Sequence, residues 1–156
     1  MSAIIQGGQL RTLLFGDQVI KTAQALPNNT TSTLFTVAGG NVLVTSLLGV
    51  VSTACSATAQ TIALGLAPSG GGTAEHAGIC TAGTVTSLEL GCWLSPGTSG
   101  GAAMVTGGHA GNTVELPTPF VAPAGTVTWT TTANSVTGAV SWYLTYIPLD
   151  TGASVS

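Results

Sequence analysis

Residues 138–152 read GAVSWYLTYIPLDTG. Apolar side chains recur at Val140, Trp142, Leu144 and Tyr146, with Ser141, Tyr143 and Thr145 between them. A period of two over this length marks a β-strand with one face in a core. Pro148 closes the run, and Asp150-Thr151-Gly152 reads as a turn. The second face of the strand carries Tyr143 and Ile147. That face is therefore expected to be covered as well, by a sister subunit.

Working outward, strand patterns return in TSTLFTV (31–37), VLVTSLLGVVSTA (42–54), TAQTIALGLAP (58–68) and GTVTWTTT (125–132). Shorter strands are expected at about Thr84–Leu90, Ala102–Thr106 and Thr113–Leu116. Turn chemistry separates them. Leu26-Pro27-Asn28-Asn29 is a turn, and Gly39-Gly40-Asn41 is a hairpin signal. Gly49, inside a long apolar run, predicts a bulge or bend. Ser69–Thr73 and Pro96–Gly101 read as loops, and Pro117, Pro119 and Pro123 punctuate the approach to Trp129. No segment holds a helical period. The expectation is an all-β fold, an antiparallel β-sandwich or jelly roll of about eight strands. Residues 1–25 form an N-terminal arm or first strand, and residues 26–156 form the domain.

Ionic side chains make up 4% of the 156 residues, against roughly a quarter in ordinary soluble domains. Arg11 and Lys21 are the two cations, and neither Lys nor Arg occurs from Thr22 to Ser156. Nucleic-acid binding needs cations to displace counterions from phosphates, so that class is set aside. A basic membrane-surface patch fails for the same reason. Threonine, at 26 residues, takes the place of charge. It suits a pleated strand, and its hydroxyl is far cheaper to desolvate than an ion. Such a surface fits one that neighbouring molecules cover. The alternative is a rigid monomer with threonine-rich outer sheet faces.

The N-terminal residues lack the pattern of a secretion signal, and no apolar run is long enough to span a bilayer. Cys55, Cys80 and Cys92 are an odd number, read as buried thiols in a reducing compartment, with a Cys80–Cys92 disulfide as the lesser alternative. Catalytic signals are weak throughout. Asp17, Glu75, Glu89, Glu115 and Asp150 form no close acid pair in sequence. The Ser-Gly-Gly-Gly-Thr run at 69–73 lacks the Lys and the following helix of a phosphate loop. His76, Cys80, Cys92 and His109 are loosely spaced for zinc. Trp129 and Trp142 alternate with polar residues as core anchors do, whereas Trp93 follows a cysteine near a turn. No catalytic, cofactor or metal residue is assigned.

The stretches LPNNTTSTLFTVAGGNVLVTSLLGVVSTA (26–54), VAPAGTVTW (121–129) and GAVSWYLTYIPLDTGASV (138–155) resemble small head-associated virion proteins of tailed bacteriophages. The resemblance implies a structural protein of the particle, of the capsid decoration or cement type. Its implied partners are the major capsid protein and further copies of itself, as a homotrimer. It would be made in the bacterial cytoplasm and end on the capsid exterior. The N-terminal arm, with Arg11 and Lys21, would reach an acidic capsid surface. A tail- or spike-associated carbohydrate- or receptor-binding module is the alternative.

Overall fold

A computed structural model describes Thr12 and residues 15–70, 78–97, 103–108, 118–133 and 137–156. These contain eleven strands: β1 (Asp17–Ala25), β2 (Thr31–Ala38), β3 (Val42–Thr53), β4 (Thr61–Pro68), β5 (Cys80–Thr84), β6 (Trp93–Ser95), β7 (Val105–Gly107), β8 (Phe120–Ala122), β9 (Gly125–Thr131), β10 (Ala139–Pro148) and β11 (Ser154–Val155). The chain is all-β, with two antiparallel sheets. The first sheet runs β1-β10-β3-β6-β7, with β8 also on β3, and the second runs β11-β2-β9-β4-β5. The strands absent from the expectation are the short β6, β8 and β11, which lack the length to register as alternation in a sequence, whereas β7 overlaps the strand expected at Ala102–Thr106.

The pairing is nested. β1 pairs with β10, β2 with β9, β3 with β6 and β4 with β5. The chain changes sheet at each of the first three connections, β1 to β2 to β3 to β4. One of these changes corrects an expectation. Gly39-Gly40-Asn41 does not make a hairpin, because β2 and β3 lie in different sheets. The glycines serve a close approach instead. A Cβ on Gly39 would lie 2.3 Å from the Gly152 carbonyl oxygen, and both Gly39 and Gly40 have positive φ, 76° and 141°. The turn chemistry is the same for a hairpin and for this crossing, so local sequence does not separate them.

The inner faces of both sheets feed one hydrophobic core. Val44, Leu47, Val51, Val140, Trp142 and Leu144 come from the first sheet, and Phe35, Ile62, Leu64, Val127 and Trp129 from the second. The expected inner face of the closing strand is borne out: Val140, Trp142 and Leu144 are fully buried and Tyr146 nearly so. Trp129 and Trp142 meet edge to face across the core, ring centroids 5.9 Å apart at 85°. Such pairs contribute ~0.5–1.5 kcal/mol beyond the area they bury. A register shift between Thr33 and Phe35 on β2 lets Leu34 and Phe35 both turn inward.

β3 has 12 residues against the 10 of β10. The two extra residues, Thr45 and Ser52, fall where the register shifts. Gly49 is not a bulge, contrary to the sequence reading. It stays in register with Trp142, and a Cβ there would lie 2.9 Å from Val140 Cγ1 and 3.0 Å from the Trp142 ring. Glycine at this point makes room for the indole. The expected strand at Thr84–Leu90 is replaced by a turn at Thr86–Ser87, with β5 ending at Thr84. The expected strand at Thr113–Leu116 lies outside the described residues.

Candidate interaction surfaces

Strand alternation decides what each sheet shows outward. On the first sheet, Ile20, Tyr143 and Leu48 form one row across β1, β10 and β3. Ser141, Val50 and Trp93 form the next row along, and Ile147, Leu43 and Val121 another. Between them lies the small polar row of Gln18, Thr145 and Ser46. Ile20, Val121 and Ile147 are 46%, 53% and 38% exposed. Tyr143, Leu48, Val50, Trp93 and Leu43 are half-buried, and none of them belongs to the set packed on the core. Central strands that are apolar on both faces are ordinary where something covers the sheet.

The outer face of the second sheet differs. Its rows are Thr31, Thr130 and Ala63; Thr33, Thr128 and Gly65; and Thr36, Thr126 and Ala67. Thr31 and Thr130 share a hydroxyl–hydroxyl hydrogen bond of 2.7 Å, and Thr61 and Thr132 one of 2.9 Å. A shallow concavity of about 500 Å³ lies over Thr31, Ala63, Gly65, Thr81 and Thr128. Its walls are small aliphatic groups and hydroxyls, with no ionic side chain among them. Neither outer face carries an ionic residue in these rows.

Among the described residues, the charge sits at an edge strand and in turns. Lys21 is in β1, the edge strand of the first sheet, in register with Trp142 and half-buried. It shares the inward face of the strand with Asp17 and Val19. Arg11 lies outside the described residues. Asp150 clamps the crossing between β2 and β3: one carboxylate oxygen accepts hydrogen bonds from the Asn41 backbone N–H (2.7 Å) and side-chain amide (2.9 Å). The turn reading of Asp150-Thr151-Gly152 holds, and the clamp adds a role that sequence reasoning missed.

All three cysteines are free and buried. Burial pushes the Cys80 thiol up to about 11, against a smaller lowering from a backbone hydrogen bond at Leu64. Burial also raises Cys55, with the neighbouring Cys92 adding to it. His76, His109, Glu75 and Glu115 lie outside the described residues. Among the described residues, no group of three or more His, Cys, Asp or Glu is placed to hold a metal. No helix among them is long and apolar enough to cross a membrane. The apolar outer rows were partly legible in the sequence, since VLVTSLLGVV is apolar at both parities. The threonine rows were legible only as composition, because cross-strand register aligns them.

No protein-family model, curated protein or solved structure matches the chain. The class defined by the observations is therefore that of the fold, an all-β domain of two antiparallel sheets on one core.

Proposed function

We propose that the chain is a structural virion protein, a capsid decoration or cement protein that binds the major capsid protein on the outside of a bacteriophage head. It has no catalytic role and needs no cofactor. The observation that carries this reading is the absence of ionic side chains from the outer rows of both sheets. The threonine-rich face, of small and stiff side chains, loses little entropy on docking and little solvation when covered, and the apolar face of the first sheet gains by burial. Many copies on one shell then add modest contacts into a firm hold.

The nested pairing of β1 with β10, β2 with β9, β3 with β6 and β4 with β5 supports a jelly-roll β-sandwich, an architecture common in viral capsid proteins and lectins. Phage origin and three-fold assembly rest on the sequence resemblance. The segment bearing Arg11 contacts an acidic part of the shell, with Lys21, turned inward on β1, at its base.

The test is imaging of intact particles from the producing cell, with mass spectrometry for copy number. The domain should occupy symmetry-related positions outside the shell. Purified particles devoid of it would remove the proposal. Charge reversal by Arg11→Glu should lower occupancy on bare shells, and unchanged occupancy would reject the role of that segment. A carbohydrate- or receptor-binding module is the second reading, favoured by Trp93 and Tyr143 on one outer face. A glycan array with specific hits would select it.

A further inference from the structure

We infer that the outer face of the first sheet is the contact between copies of this chain, with a second copy as its occupant. The inference stands apart from the role in a particle: self-association through this face requires no shell. The face is apolar in three of its four rows, and Ile20, Val121 and Ile147 remain open to solvent in the isolated chain. Exposed apolar patches of this extent mark interaction sites.

Size supports a specific contact. The 10 residues of β10 extend over about 33 Å, and four neighbouring strands over about 19 Å. The projected face is on the order of 600 Å², close to the ~800 Å² per partner of a standard protein interface. Chemistry favours a like partner. With no ionic group in these rows, a charged partner gains no complementary charge. Copies that meet through this apolar face, as a pair or around a three-fold axis, do so without like-charge repulsion or stranded ions.

The geometry also selects face over edge. β1, the longer of the two edges of this sheet, is guarded against strand addition by inward-directed Lys21 and by a bulge between Lys21 and Gln24. Within that bulge Ala23 has φ 46° and donates its N–H to Ser141 Oγ at 3.0 Å. Association by extending the sheet through β1 is disfavoured, and association by stacking is left open.

Sedimentation equilibrium of the full chain at micromolar concentration tests this, with Ile20→Lys, Val121→Lys and Thr128→Lys variants. Ile20 and Val121 are exposed in the single chain, so a lysine there leaves the fold intact, as an unchanged circular dichroism spectrum would show. The unmodified chain should sediment as an oligomer. Ile20→Lys and Val121→Lys should raise its dissociation constant about a hundredfold or more, because each buries an unpaired charge at the contact. Thr128→Lys, on the other sheet, should leave it unchanged. A monomeric unmodified chain overturns the inference, as does an oligomer that both first-sheet variants leave intact.

Discussion

Trp142 concentrates the stability of the domain in one side chain. It is fully buried, packs on Trp129 from the opposite sheet, and rests where Gly49 leaves space. Trp142→Ala should cost about 3–5 kcal/mol, measured by urea unfolding. Gly49→Ala should cost about 1–3 kcal/mol by overpacking, although alanine is otherwise better tolerated than glycine in a strand. A neutral Gly49→Ala would show that the indole has room to shift. Gln60 is the converse case. It is 2% exposed, and neither its amide oxygen nor its nitrogen has a hydrogen-bond partner. Gln60→Leu removes two unpaired polar groups and should leave stability unchanged or raise it by about 1 kcal/mol.

Cys80 links the residue scale to pH. Below the ordinary thiol value of 9.0, folded and unfolded chains both hold the proton, and the contribution of the buried thiol is intact. Between there and about 11, the unfolded chain ionises while the folded one does not, so stability falls as pH rises. The urea midpoint should drop across that window, and by less in Cys80→Ala relative to its own value at neutral pH.

At the scale of elements, the connection from β2 to β3 depends on the C-terminal turn. Asp150 satisfies the Asn41 backbone N–H and side-chain amide, while the Asn41 carbonyl accepts from the Leu149 and Asp150 backbone N–H groups. β11 then joins β2, so the last residues tie the two sheets together. Asp150→Ala should cost about 1–2 kcal/mol, seen as a lower melting temperature. The strands that touch this clamp were readable from alternation alone. The clamp was not, since 109 residues separate its partners.

For the whole molecule, the distribution of charge matters more than its amount. The net charge of −3 is modest, and the described ionic groups lie at an edge strand and in turns. Both broad faces are left for contact, one apolar and one threonine-rich. On the proposed decoration role, one face serves sister copies and the other is free for the shell. Conditions that strengthen apolar burial, such as added sulfate, should favour the oligomer, and moderate salt should change it little. A marked dissociation in moderate salt would point to ionic contacts instead.

The order of amino acids by itself determined the all-β class, the five long strands from β2 to β10, the inner face of β10 and the core placement of Trp129 and Trp142. These follow from local alternation and turn chemistry, which act over a few residues. Tertiary structure alone decided that Gly39-Gly40 crosses between sheets, that Gly49 accommodates an indole, that β1 pairs with β10 and that the threonines align in rows. Each depends on a partner distant in the chain. Pairing register and side-chain packing fix such partners only when the two sheets close on their shared core.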